Sequence, residues 1–382
     1  MSNNSKEINV PGSIQPGKPR FELLDGLRGV AAMFVIWYHF GEGFATSPVD
    51  QFMNHGYLAV DLFFVLSGFV IGYAYDDRWS KGMTPWRFML RRVIRLHPMV
   101  ILSMLLGALA FAIQGSVQWD GTPVPLSSLL MSLALGLFLI PTAAGMAPEV
   151  RGNHEMFPLN GPAWSLFFEY IGSIMYAFLL HRLSSRWLKL IAAVSAIGVA
   201  YTLLGNATGY YHLGVGWSLD DNGFLWGLFR MTYSFTIGLL MSRGFKARKI
   251  RGAFWIATAI LAIVFAVPYP GGDATILNGV YDLLCTTILF PIIVYIGACG
   301  TTTDRFSTRL CDALGQLSYP VYIVHYPVMY LFYAYTFSHE VTMGQMWPVC
   351  LALFVGILLL AWAAYRFYDK PVRGALSRKL LR

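Results

Sequence analysis

The residues able to do chemistry in this sequence are those that interrupt its apolar runs. In LLDGLRGVAAMFVIWYHF, Arg28 and His39 stand eleven positions apart. As helix, that spacing is three turns and about 20°, with a rise of about 16 Å, so both point along one face at opposite depths. Glu169, in PAWSLFFEYIGSIMYAF, and Asp61, in GYLAVDLFFVLSGF, fall at depths close to that of His39. A carboxylate orienting an imidazole is the usual way to build a general base, and depth alone leaves either acid able to do it. Toward the opposite depth, Arg92 and Arg95 of RRVIRLHP lie three apart on one helical face. They read either as interfacial anchors or as a clamp for an anionic phosphate ligand. His325, in LSYPVYIVHYPV, is flanked by Pro320 and Pro327, and prolines there free carbonyls that usually line a cavity.

The elements that must position these groups follow from composition. Of 382 residues, 56% are hydrophobic and only 13% charged, where a soluble domain carries about a quarter charged. That excludes an ordinary soluble enzyme. Apolar blocks recur at roughly 29–45, 57–76, 96–114, 126–141, 162–181, 187–204, 223–242, 252–268, 279–299, 317–336 and 347–367, mostly of the length that crosses about 30 Å of hydrocarbon. The expectation is an all-α polytopic membrane protein. Basic residues cluster at 78–95, 182–189, 243–251, 305–309 and 366–382 and are almost absent from 41–57, 115–125, 205–222, 269–278 and 337–347. The positive-inside rule makes the first set cytoplasmic and the second external. Alternation then fails only at 126–141, so about ten spans are expected with both termini cytoplasmic, and 126–141 as a short re-entrant or interfacial helix.

Residues 1–20 are polar and read as a disordered tail, and 377–382 as a basic tail. The net charge of +8 reflects cytoplasmic loops and implies no nucleic-acid partner. Cys285, Cys299, Cys311 and Cys350 form no CxxC pair and read as small core residues, with no metal site. Trp37, Trp164, Trp217, Trp226 and Trp347 lie near span ends, where aromatic belts are expected. No GxSxG, HExxH, Walker or dinucleotide-binding motif occurs.

FELLDGLRGVAAMFVIWYHF, with its Arg, ten residues, His spacing, resembles the opening signature of the acyltransferase-3 family of integral-membrane O-acyltransferases. VDLFFVLSGFVIG, RRVIRLHP, GPAWSLFFEYIG, LSYPVYIVHYPV and YDKPVRGAL are similar to its later motifs in the same order, so the resemblance runs from Phe21 to Leu376. It implies a single transmembrane domain over 21–376, of the type without a fused C-terminal hydrolase-like domain. It also implies transfer of an acyl group, usually acetyl, from cytoplasmic acyl-CoA to a carbohydrate hydroxyl. By this resemblance His39 is the essential histidine, Arg28 its paired arginine, and Arg92 and Arg95 the RxxR motif linked with the donor. Trp164, Ser165 and Glu169 fall on the WSLxxE motif, and Tyr319 and His325 on the motif around the two prolines. Asp369 stands where the family often has Glu.

On this reading catalysis falls to His39, Glu169 and Asp61, donor binding to Arg28, Arg92 and Arg95, and Trp164, Ser165, Tyr319 and His325 are further candidates. No cofactor is held permanently; acyl-CoA is a substrate, and the partners are the bilayer and a carbohydrate acceptor. A bacterial inner membrane is the expected location. The expected route is direct, with His39 removing the acceptor proton while the hydroxyl oxygen attacks the thioester. An acyl-histidine, or a relay through Ser67 or Ser165, is the covalent alternative. The competing functions are acylation of a small molecule or lipid, such as a macrolide, and a secondary transporter with His39, Glu169 and Asp61 as proton relay.

Overall fold

The computed structural model describes residues 20–381 apart from 221, 273 and 303. The tail expected at 1–20 lies outside the described residues except for Arg20, which pairs with Asp25 at 2.9 Å and Asp312 at 3.2 Å. Every apolar block of the sequence is helical, and the described residues contain no strand. The helices are α1 (Glu22–Glu42), α2 (Ala59–Tyr75), α3 (Pro85–Ile113), α4 (Leu126–Leu137), α5 (Ala163–Phe178), α6 (Ser185–Leu204) and α7 (Gly223–Arg243). They continue with α8 (Ala253–Ala266), α9 (Ile276–Leu284), α10 (Phe290–Cys299), α11 (Arg305–His339), α12 (Met343–Ala363) and α13 (Lys370–Leu380). The fold is thus an all-α polytopic membrane protein. The basic segment expected as a tail at 377–382 is helical through Leu380.

Six helical stretches among the described residues are long and apolar enough to cross a bilayer. α1 and α11 are long but too polar for that test, and the reason is their position: they pack against each other inside the bundle. Small residues let them approach. A Cβ on Gly29 would stand 2.5 Å from the Leu314 carbonyl, and one on Gly26 2.8 Å from Cys311 Sγ, the small-residue packing that membrane helices favour. α2 and α7 pack as closely, for a Cβ on Gly68 would lie 2.0 Å from the Phe235 carbonyl. In α2, 78% of the most apolar stretch is buried; in the α12–α13 arm it is 22%, which leaves that arm facing lipid. α4 has 12 residues, about 18 Å of helix, which is short of the hydrocarbon thickness and agrees with a helix that does not cross. All four cysteines are buried and free.

Two prolines create carbonyls that need outside donors, because a ring nitrogen cannot bond four residues back. Pro327 in α11 frees the carbonyl of Ile323, which accepts from Asn160 Nδ2 at 2.8 Å. Pro291 follows the π-helical turn Cys285–Leu289 and frees Thr287, whose carbonyl accepts from the Tyr233 hydroxyl at 2.9 Å.

Candidate active site

His39 lies in the last turn of α1, and its carboxylate partner is Glu42, one turn further on. Nδ1 is 2.5 Å from Glu42 Oε2. Tyr333 of α11 donates to the same oxygen at 2.9 Å and reaches the His39 carbonyl at 2.7 Å. A carboxylate can only accept, so Nδ1 carries the proton and Nε2 keeps the lone pair a general base needs. His325 stacks behind His39 with centroids 5.2 Å apart, and Tyr326 meets it edge-on at 4.8 Å. His325 itself is buried, donates from Nδ1 to the Val321 carbonyl at 3.2 Å, and has no partner at Nε2 among the described residues.

His39 and Glu42 line a cavity of about 810 Å³. Its walls come from residues 38–57, 153–164 and 207–230, with Trp119, Tyr330 and Phe337. Basic-poor segments expected on one side of the membrane therefore meet at this end of the bundle. The lining is rich in Trp and Tyr, and three of the five tryptophans expected as belt residues, Trp164, Trp217 and Trp226, line the chamber instead. The other two, Trp37 and Trp347, stack on each other at 5.0 Å. Gly216 permits the wall to close over Trp164: its φ is +100°, and a Cβ there would stand 2.9 Å from the indole ring.

Glu155, from the loop between α4 and α5, is buried in this wall. It accepts from Tyr330 at 2.5 Å and Tyr326 at 3.2 Å, while the Arg151 guanidinium lies 3.3 Å from the centre of the Tyr330 ring. Burial outweighs these partners and pushes the Glu155 carboxyl up to about 7. Burial in the loop before α7 likewise drives His212 down to about 4.

Toward the other end lies a smaller cavity of about 80 Å³, lined by Arg28, Arg92, Arg95, Glu169, Ser165 and Tyr319 among others. Arg92 pairs with Glu169 and donates from Nε to Ser173 at 3.1 Å; Ser67 adds a bond to Glu169 at 3.1 Å. Arg28 leans on Asp25 at 3.4 Å, and Tyr319 bonds the Leu96 carbonyl at 2.6 Å. Arg95 makes no hydrogen bond or ion pair among the described residues. It presents a guanidinium to the slot with its donors uncommitted.

The two acids expected beside His39 are therefore elsewhere. Glu169 belongs to the arginine slot, because Arg92 on α3 meets it from the side. Asp61 is fully buried against Arg230 of α7, which grips both its oxygens at 2.7 to 3.1 Å and also bonds the Tyr57 and Val215 carbonyls. Arg230 is the charge that neutralises Asp61, so Asp61 locks α2 to α7. Sequence reasoning missed Glu42 and Arg230, although both carried a signal: Glu42 follows His39 at i+3, and Arg230 sits inside an apolar run. Ser67 and Ser165 are bonded to Glu169 and to Tyr322 and the Pro162 carbonyl, and neither touches a histidine among the described residues.

A bundle of apolar helices enclosing a His–Glu pair at one end and an arginine slot at the other defines a multi-pass membrane protein built for chemistry. The acyltransferase domain family matches residues 21–366, and the chain belongs to that family; it is an acyltransferase. It is 25% identical over 378 residues to "Acyltransferase MdmB" of Streptomyces mycarofaciens, spanning 91% of this chain and 89% of the relative. It is 23% identical over 376 residues to "O-acetyltransferase OatA" of Staphylococcus aureus, 92% of this chain but 57% of the relative. Over 188 residues, 47% of this chain and 92% of the relative, it is 36% identical to "Protein 2 in picA locus" of Rhizobium radiobacter. No solved structure matches the chain.

Proposed function

We propose that the protein moves an acyl group, acetyl by preference, from acyl-CoA at the arginine slot to a hydroxyl of a carbohydrate in the aromatic chamber. The observation that carries this reading is the placing of an uncommitted cation and a free imidazole lone pair in two cavities that meet inside the bundle. The CoA phosphates engage Arg95 and Arg28. The acceptor sugar stacks on the chamber's Trp and Tyr rings and is held by its polar rim. His39 Nε2 takes the proton of the acceptor hydroxyl, whose oxygen attacks the thioester carbonyl. The tetrahedral adduct collapses with loss of the CoA thiolate, which takes the proton back from His39. Glu42 holds the tautomer and stabilises the imidazolium that forms.

The direct route is favoured over a serine relay because neither Ser67 nor Ser165 touches a histidine among the described residues, and the Glu169 carboxylate beside Ser67 is already engaged by Arg92. The arginine slot faces the cytoplasm and the chamber faces outward, with both termini cytoplasmic, in a bacterial inner membrane and within a domain over 21–376. That arrangement lets a cytoplasmic polyanion serve an acceptor on the far side. The test is reconstitution with acetyl-labelled acetyl-CoA and no acceptor, followed by an acid quench. Stoichiometric label on the protein would replace direct transfer with a covalent relay. Mass spectrometry of surface glycans with and without the gene identifies the acceptor; no acyl-sized mass difference in any glycan overturns the carbohydrate reading.

A further inference from the structure

The two cavities have one common wall. Val60 of α2 and Tyr322 of α11 are the residues that line both. Tyr322 is buried; its ring meets Phe63 edge-on at 5.5 Å, and its hydroxyl lies 2.8 Å from Ser165 Oγ on α5. Ser165 donates its own proton to the Pro162 carbonyl at 2.9 Å. The Tyr322 hydroxyl also donates to the Pro162 carbonyl at 3.5 Å, so it is tied to the start of α5 by both Ser165 and that carbonyl. The slot on the arginine side measures about 80 Å³ and stops at this wall. A donor seated among the arginines cannot reach His39 while the phenol stays in place.

We propose that Tyr322 is a gate between donor slot and acceptor chamber, latched by the hydrogen bonds of its hydroxyl to Ser165 and the Pro162 carbonyl. The inference rests on the reading that acyl-CoA occupies the arginine slot. Neutral hydrogen bonds of this kind make a latch that thermal motion opens readily. Swinging the phenol aside joins the cavities and lets the thioester pass to Nε2 of His39. Swinging it back keeps chamber water from an unclaimed thioester, which a free imidazole would otherwise help to hydrolyse. Tyr322 is in this sense a positioning residue, one that decides when donor and base meet.

The experiment measures CoA release from acetyl-CoA by the reconstituted full-length protein without acceptor, alongside acetyl-CoA affinity by calorimetry. Tyr322→Ala, which removes the partition, is expected to raise acceptor-independent release about tenfold at unchanged affinity; Tyr322→Phe, which keeps the ring and loses the latch, should raise it by about threefold. His39→Ala added to either variant should return release to background. Wild-type-like or lower release in both Tyr322 variants, with affinity retained, overturns the gate. Absence of acetyl-CoA binding by the wild type overturns the parent reading instead. Should Tyr322→Ala fail to fold, Tyr322→Phe decides the matter, since it removes every bond of the hydroxyl and spares the ring.

Discussion

His39 and Glu42 are one helical turn apart, and their contact of 2.5 Å is fixed from outside the helix by the hydroxyl of Tyr333. An i,i+3 pair at a helix end would otherwise exchange rotamers with solvent. The tyrosine holds the carboxylate in register, so the imidazole tautomer is set before any acceptor arrives.

Glu42→Gln removes the charge that balances an imidazolium while keeping the shape. The turnover number should fall about 10²- to 10⁴-fold with little change in KM for the donor. Glu42→Asp should recover part of the loss. Steady-state transfer by purified protein reads both, and a Glu42→Gln rate within twofold of wild type would remove Glu42 from the mechanism.

Arg92 and Arg95 should separate cleanly. Arg95→Ala deletes a cation with no hydrogen bond or ion pair among the described residues, so acetyl-CoA affinity should weaken about tenfold or more with the melting temperature unchanged. Arg92→Ala takes from the Glu169 carboxylate its ion-pair partner and leaves it only Ser67, and should lower the melting temperature as well as affinity. Calorimetry and thermal melts in detergent make the comparison.

Asp61 and Arg230 form a pair buried on both sides, at 0% and 1% side-chain exposure. Removing either partner should destabilise the protein by about 3 to 5 kcal/mol, whereas replacing both, as Asp61→Leu with Arg230→Met, should recover most of it. Equal melting of Asp61→Ala and wild type would contradict a fastening role.

Glu155 gives a pH dependence with a defined sign. Its carboxyl titrates at about 7 in the fold against an ordinary 4.5, so the folded state holds this proton more tightly than the unfolded chain. The resulting stability is complete below 4.5 and is lost as pH rises through about 7. Melting temperature should therefore decline between pH 5 and 8, and Glu155→Gln should flatten that slope. A wild-type slope identical to the variant's would remove Glu155 as its source.

The helices were legible because hydrocarbon demands continuous apolar blocks with every backbone group paired, a constraint that one sequence displays directly. Arg28 and His39 were legible as a pair on one helix for the same reason. That Glu169 and Asp61 stand away from His39 was not, because depth is a one-dimensional coordinate and their partners, Arg92 and Arg230, were set by the angular placing of α2, α3, α5 and α7. Glu169 lines the slot with Arg28, eleven residues before His39 on α1, and so faces a different cavity. The tryptophans show the same limit: Trp164 on α5, Trp226 on α7 and Trp217 in the loop before α7 lie near element ends, as belt residues would, and tertiary packing turns them into the chamber.

The carbonyl that Pro327 leaves bare bears on the order in which this protein can be assembled. While α11 is threaded into the bilayer, Ile323 carries an acceptor that lipid cannot satisfy, at a cost of several kcal/mol. Its eventual donor, Asn160, was synthesised 163 residues earlier. That bond exists only where the loop before α5 and the middle of α11 lie side by side, so the break in this helix ties the seating of a late element to the correct building of an early one.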